Sequence, residues 1–405
     1  MRFLLFSLLV IALNAKAIDT NLNRESILKQ NQNYNFATEE WNKKIKISGL
    51  IMGEMIFSDD NAGNTRRFSK GAKKNYSTFC FPRASLYVDA EINPLTTAHL
   101  ALNFAPNKMS GSCAACGFGR KNDELRLTKY GKLDESYVTF TDNVSPNYYA
   151  RAGIQYLPYG QYQRNTIPAT LTQLLTQTQG AGLTLGHINE SGINIAAFSF
   201  SGKKKQDKST IINNFGAQIQ YERATIDSNN QFAIGWVNNI ANSVNYIVSA
   251  TTCCGKEKNP LNTAYKKSVP AAVVSYKRQQ SSWDFTAQYT SALTRFNSND
   301  IKWKTKGAKP SAGLIDLGYN FNSFNEKPSR LGASAQASNQ SVNIKGNDFG
   351  SGLPKLRLQS DYTMEIQKNI EFGAHIFWDK DYGKKDNGTG KNATTLLLTM
   401  AVKLG

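Results

Sequence analysis

Apolar and polar residues alternate one by one along most of this chain. Between Lys44 and Phe57 the odd positions are apolar or glycine, and the even positions include Lys46 and Glu54. Because successive side chains of a strand point to opposite faces, this pattern predicts a strand with one apolar and one polar face. It predicts sixteen such strands, over 44–57, 83–92, 96–104, 133–141, 148–157, 178–187, 192–201, 213–222, 231–239, 271–277, 283–291, 311–321, 328–337, 355–365, 369–378 and 393–404.

The segments between these strands alternate between short and long. Short connections such as 93–95 follow the even-numbered strands, and long ones such as 105–132 follow the odd-numbered strands. This connectivity is typical of an all-β, transmembrane, antiparallel up-and-down barrel, with short periplasmic turns and long extracellular loops. The sequence therefore predicts a barrel of about 16 strands in the bacterial outer membrane.

A soluble β-sandwich would also alternate, but it gives no reason for aromatic residues to gather near strand ends. Aromatic girdles at both membrane interfaces do give that reason. The aromatic residues near predicted strand ends are Trp41, Phe57, Phe104, Tyr148, Tyr156, Tyr221, Trp236, Tyr289, Phe321 and Trp378.

The N-terminal residues have a different character from the rest. Arg2, the apolar run 3–13 and the small residues Ala15 and Ala17 predict a signal peptide over 1–17. Residues 18–43 are then expected to be a short periplasmic segment and 44–405 the barrel. Because 18–43 is too short for a plug domain, we expect an aqueous lumen. The connection 158–177 has two interpretations, a loop folded into that lumen or an ordinary external loop.

The chain is strongly basic, with 48 Lys and Arg against 30 Asp and Glu and a formal net charge of +18. Most of the excess falls in the predicted extracellular loops. A mouth of one sign concentrates solutes of the opposite sign, which favours an anionic cargo. The alternative is contact with the phosphates of lipopolysaccharide, and a nucleic-acid partner does not suit an exported barrel.

Basic and aromatic residues predicted to face the lumen are the candidate cargo-contacting residues. Each could instead pair with a lumen carboxylate such as Asp284, Asp316 or Asp361, since polar side chains across a barrel wall satisfy one another. The candidates are Lys46, Arg83, Arg151, Lys277, Arg330 and Arg357 on the strands, and Tyr159, Tyr162 and Arg164 in the connection 158–177.

The five cysteines and three histidines indicate neither catalysis nor a cofactor. Disulfides are the plainer expectation for exported loops, with Cys113, Cys116, Cys253 and Cys254 as candidates and pairing left open. A four-cysteine zinc site is the alternative, and no metal site is our expectation. No serine or aspartate has a diagnostic spacing from a histidine, so we expect no enzyme.

Several stretches resemble the LbtU family of siderophore porins. They are Ile47-Ser-Gly-Leu-Ile, Val88-Asp-Ala-Glu-Ile-Asn93, Leu133-Asp-Glu-Ser-Tyr-Val-Thr-Phe, Tyr149-Ala-Arg-Ala-Gly-Ile-Gln-Tyr-Leu-Pro-Tyr-Gly160, Asn165-Thr-Ile-Pro-Ala-Thr-Leu-Thr-Gln-Leu-Leu and Gly182-Leu-Thr-Leu-Gly186. The resemblance is clearest over 83–200 and implies a plugless outer-membrane barrel that takes up ferric siderophores of the polycarboxylate type. Two departures are the short region before the first strand and the end at Lys403-Leu404-Gly405, which lacks an aromatic residue.

The expected function is therefore uptake of an anionic ferric siderophore. Two alternatives stay open at this point: a general, weakly anion-selective diffusion porin, and a structural or adhesive surface barrel. The sequence does not determine the oligomeric state.

Overall fold

A computed structural model describes residues 44–59, 76–104, 131–141, 147–160, 162, 169–202, 214–243, 266–298, 300–341, 353–386, 388 and 390–404. The predicted signal peptide, the segment 18–43, Trp41, Arg164 and the four candidate disulfide cysteines lie outside these residues. Among the described residues, no helix is both long enough and apolar enough to cross a membrane.

Eighteen strands and one short helix form the described secondary structure. The strands are β1 Ile45–Ser58, β2 Tyr76–Asn93, β3 Thr96–Phe104, β4 Gly131–Thr141, β5 Asn147–Tyr156, β6 Gln179–Ile188, β7 Ile193–Ser201, β8 Asn214–Ala224, β9 Ser228–Val237, β10 Ala271–Gln280, β11 Trp283–Ala292, β12 Lys302–Trp303, β13 Lys306–Gly307, β14 Ser311–Ser323, β15 Lys327–Asn339, β16 Leu356–Gln367, β17 Ile370–Lys380 and β18 Asn392–Leu404. The helix is α1 Leu171–Thr176, and single 3-10 turns cover Ile240–Asn242, Phe324–Glu326 and Lys384–Asp386.

Sixteen of the described strands close into one antiparallel barrel, in which every strand pairs with its neighbours in sequence and β18 pairs with β1. The other two, β12 and β13, form a separate two-stranded hairpin that is not part of the barrel sheet. Each predicted segment corresponds to one barrel strand, so the predicted fold and strand number are confirmed. Short connections alternate with long ones around the barrel, as predicted.

The side chains alternate between the two faces of the wall as the period-two pattern requires. On β1, Ile51 and Met55 are exposed on the outer face, whereas Glu54 and Ile56 are buried on the inner face. On β11, Trp283 and Tyr289 face outward and Asp284 and Thr286 face inward. An outer face of exposed aliphatic and aromatic side chains is the surface that a bilayer requires.

Strand β2 begins earlier than predicted. The predicted strands 44–57 and 83–92 leave residues 58–82 between them, but β2 already starts at Tyr76, so Cys80 lies in the strand. The pairing with β1 skips between Met52 and Glu54, which leaves an irregularity beside Pro82. Proline cannot donate to a ladder hydrogen bond, and such irregularities are where sheets accept it.

Side chains fill part of the outer half of the lumen, which narrows the aqueous lumen predicted from the sequence. Inward-facing Phe198, Phe200, Val237 and Val273 lie in one buried apolar cluster near the extracellular ends of their strands. The same cluster includes residues of the long connections: Leu157, Tyr159, Leu171, Leu175, Ile240, Val269, Phe296, Ile301 and Leu353. The connections therefore pack inside the outer half of the barrel.

Candidate functional site

The connection between β5 and β6 folds into the lumen and crosses it. Its helix α1 packs against β11, β14 and β15, and β15 lies eight strands from β5 around the ring of sixteen. The backbone N–H of Leu171 donates to Oε1 of Gln336 on β15 at 2.8 Å. The hydroxyl of Thr172 donates to Gln288 on β11. Of the two interpretations of this connection, the contacts select the infolded loop.

Local sequence explains how this crossing loop is held. Thr170 caps α1, because its side chain accepts a hydrogen bond from the N–H of Gln173 at 3.2 Å. Gly160 has φ of +84°, which favours glycine, and its N–H donates to Oε1 of Gln218 on β8 at 2.8 Å. A Cβ on Gly235 would lie 3.1 Å from the Gly160 nitrogen, so glycine at 235 permits the close approach of loop and wall.

The predicted loop tyrosines support the loop. The ring of Tyr159 is fully buried in the apolar cluster. The hydroxyl of Tyr162 shares a hydrogen bond of 2.7 Å with Thr176 of α1. Burial raises the pKa of both phenols, so both stay neutral at physiological pH. Their described contacts are with other parts of the protein, so both tyrosines help to position the loop.

Two of the predicted lumen arginines are neutralised by aspartates. Arg330 donates through Nε and Nη2 to both carboxylate oxygens of Asp284 at 3.0 and 2.8 Å. It also donates to Asp316 at 3.1 Å and to Asp361 at 2.8 Å. Arg357 makes a bidentate pair with Asp379 at 2.7 and 2.8 Å. These geometries join neighbouring strands and satisfy the wall.

Glycine provides the space for the Arg330 network, which comprises Arg330, Asp284, Asp316 and Asp361. A Cβ on Gly318 would come within 2.3 Å of Nη2 of Arg330, and one on Gly332 within 2.4 Å of both Arg330 and Asp361. The guanidinium therefore lies flat against the inner wall, over two glycines. Substituting either glycine would push the arginine away from its carboxylates.

Three other predicted cations have no carboxylate partner among the described residues: Lys46 on β1, Arg151 on β5 and Lys277 on β10. Arg151 donates through Nε to Oγ1 of Thr139 at 3.2 Å, and its Cζ lies 4.5 Å from the centre of the Tyr137 ring. These contacts fix the guanidinium without cancelling its charge. Lys277 lies between Gln231 and Thr286 in register, both of them neutral.

The predicted residues are not brought together in one place. Arg83 lies on β2 opposite Met52, and its side chain is outside the described part. Arg151 and Arg330 stand eight strands apart around the ring. Within the described residues no group of three or more histidine, cysteine or acidic side chains could hold a metal ion.

Sequence reasoning missed a stack of planar side chains beside Arg151. The rings of Tyr87 and His99 have centres 6.5 Å apart and planes inclined by 29°, and those of His99 and Tyr137 have centres 4.9 Å apart and planes inclined by 24°. Nδ1 of His99 lies 2.6 Å from Oδ1 of Asp89. These residues lie on the successive strands β2, β3 and β4, so inward positions compared strand by strand would have revealed them.

The chain is similar in sequence to proteins named UPF0422. No family profile matches the chain. It is 24% identical to a UPF0422 protein of Coxiella burnetii over 355 residues, which cover 87% of the chain and 67% of that protein. It is 23% identical to a UPF0422 protein of Legionella pneumophila (strain Paris), covering 69% of the chain and 53% of that protein. The chain thus spans about half to two thirds of these relatives.

Solved structures show the fold. The outer membrane channel DcaP of Acinetobacter baumannii superposes with a TM-score of 0.54 at 10% identity, over 91% of the chain and 100% of that protein. OprB of Pseudomonas putida gives 0.58 at 9% identity, over 90% and 95%. An anion-selective porin from Comamonas acidovorans gives 0.53 at 8% identity, over 89% and 99%. The chain has the fold of an outer-membrane porin, and its apolar outer face places it in the bacterial outer membrane.

Proposed function

We propose that this barrel is a non-enzymatic channel that admits small anionic solutes through the outer membrane. The observation that carries the proposal is a pair of lumen cations, Arg151 and Lys277, that form no ion pair with any carboxylate among the described residues. Free positive charge along a narrow, low-dielectric passage attracts anions and raises their entry rate. The basic extracellular loops of the sequence would add to that attraction.

The specific cargo that we propose is a ferric siderophore of the polycarboxylate type. Support comes from the resemblance to the LbtU family and from the chemistry of Arg151, since guanidinium groups bind carboxylates bidentately. In this transport process iron is cargo and not a resident cofactor. The packed outer half of the lumen also suits a selective passage better than a wide one.

A general anion-selective diffusion channel is the second candidate. The same unpaired cations favour it, because charge alone selects anions without a dedicated binding site. The two candidates differ in saturation. A dedicated channel is blocked by its cargo at low concentration, whereas a general channel shows only a gradual loss of current.

Purified protein in planar bilayers tests these proposals. We expect anion-selective currents. Micromolar ferric citrate should block the chloride current, and glycerol, an uncharged solute, should leave it unchanged. Absence of block with intact anion selectivity would favour the general channel. Cation selectivity would refute both, and so would a complete absence of conductance from protein shown to be folded. Uptake of iron-labelled citrate by a deletion strain, with and without the gene, tests the cargo in cells.

A further inference from the structure

The inner wall around Arg151 is partly open to solvent. On β1 the inward positions from Lys46 to Met52 remain at least partly exposed, and on β5 those from Tyr149 to Gly153. The two register partners of Arg151, Thr139 on β4 and Thr184 on β6, are buried beside it. Arg151 itself is partly exposed, so a solute in the lumen can reach it.

The opposite side of the lumen offers an anion little. The Arg330 network there carries three carboxylates for one guanidinium, and all three carboxylates are buried. Above it, α1 and the apolar cluster fill the space against β11, β14 and β15. The carboxylates repel an anionic solute, and the apolar packing leaves it no room on this side.

Arg151 stands out on the accessible wall because it is held in place and still charged. The stack formed by Tyr87, His99 and Tyr137 ends at its guanidinium, so Tyr137 has His99 on one side and Arg151 near its ring centre. Its Nε is committed to Thr139. No described residue is a hydrogen-bond partner of its two terminal nitrogens, Nη1 and Nη2, so both remain available to a ligand.

The carboxylates on this wall have partners of their own. Asp89 pairs with His99 at 2.6 Å. Glu135 accepts from the backbone N–H of Tyr156 at 3.4 Å, and Asp134 accepts from the Tyr156 hydroxyl at 3.4 Å. Glu91 lies nearer the periplasmic end of β2, two residues from its last residue. None of these carboxylates forms an ion pair with Arg151.

We propose that anionic solutes travel along the β1 to β5 side of the lumen, and that Arg151 binds their carboxylate or phosphate-like oxygens there. Tyr137 and Thr139 act as positioning residues for its guanidinium. The inference rests on the proposed anion channel and adds to it the path and the contact residue. A guanidinium group that is already held in place loses little conformational freedom when it forms two parallel hydrogen bonds with an oxyanion.

Citrate block of the chloride current, measured in planar bilayers, tests the site. We expect Arg151→Gln to raise the half-blocking citrate concentration about tenfold, the effect of losing one charge-assisted contact. Arg151→Lys should recover only part of the block, because an ammonium group cannot form the bidentate pair. The matched control is Lys277→Gln, which removes an equal charge elsewhere in the lumen and should shift the block less than twofold.

Tyr137 tests the positioning role. We expect Tyr137→Leu to weaken citrate block, and Tyr137→Phe to retain it, because the ring and not the hydroxyl supports the guanidinium. Equal block in the wild type and in Arg151→Gln, or equal loss in Arg151→Gln and Lys277→Gln, would overturn the site while the anion channel stands. Loss of anion selectivity in the wild type would instead refute the channel itself. Folding of each variant is checked by the heat-dependent shift in electrophoretic mobility.

Discussion

Arg330 and Arg151 are both inward-facing arginines of the same barrel, yet their surroundings are opposite. Arg330 is held by three aspartates from β11, β14 and β16. Arg151 lies on an aromatic ring and a threonine, with no carboxylate within ion-pairing distance among the described residues. Arg330 therefore stabilises the barrel wall, whereas Arg151 is available to a solute.

The two sides of the lumen differ in the same way. The side built by β11 to β16 is covered by α1 and the apolar cluster, and its Arg330 network has three carboxylates for one guanidinium. The side built by β1 to β5 keeps polar side chains that are at least partly exposed, among them Lys46, His99 and Arg151. The lumen is therefore asymmetric, and the net charge of its lining does not describe what a solute meets.

Arg330→Gln should give the largest effect on stability. The change leaves three buried carboxylates without their shared cation, which costs about 3–5 kcal/mol in comparable buried pairs. Urea unfolding of the protein refolded into lipid vesicles measures the loss. Arg151→Gln is the matched control and should lose less than about 1 kcal/mol. Equal losses in the two variants would remove the distinction between the two arginines.

Leu171→Ala should have the next largest effect, because Leu171 is fully buried in the apolar cluster. Truncating a buried leucine costs about 2–5 kcal/mol, and here the loss falls on the attachment of α1 to the wall. We expect higher single-channel conductance and faster proteolysis within the crossing loop. Leu174→Ala, on the partly buried side of the same helix, should change both less. Unchanged conductance would contradict the role of α1 in narrowing the lumen.

The barrel could be predicted from sequence because one physical rule, alternation of side chains across a wall, is repeated sixteen times. The wall also required turns and loops whose lengths are visible in the chain. The apolar inner positions, such as Phe200 and Leu397, were not anticipated, because an inward apolar residue is explained only by what packs against it. Phe200 contacts the infolded cluster, and the infolding itself depends on distant contacts such as that of Leu171 with Gln336.

The roles of the arginines could not be separated from sequence either. Whether Arg330 meets Asp284, 46 positions away in sequence, depends on β11, β14 and β15 being in a particular register. A shift of the register by two positions would preserve the alternation and break the pair. Sequence therefore indicated which residues face the lumen but not which of them remain charged toward it.

Tyr382 allows a smaller test at the extracellular side. Its hydroxyl shares hydrogen bonding of 2.7 Å with Ser338, and burial raises its pKa to about 12. Because the folded pKa exceeds the unfolded value, this contribution to stability is complete below about pH 10 and is lost as pH rises toward 12. We expect Tyr382→Phe to cost about 1 kcal/mol at neutral pH. The variant should also lose part of the alkaline destabilisation, measured by urea unfolding at several pH values, and an identical pH profile would contradict this.

Lys277→Gln should give the smallest effect, a roughly twofold or lower decrease in the chloride-to-potassium permeability ratio, since salt screens a partly exposed lumen charge. Its register neighbours Gln231 and Thr286 are neutral, so the charge that is removed is not already cancelled. Reversal potentials across a salt gradient measure the ratio, and Lys277→Arg should restore it. The effect should grow as the salt concentration falls. A decrease that is independent of salt would mean that Lys277 stabilises the barrel wall, as Arg330 does, and is a structural cation rather than a free one.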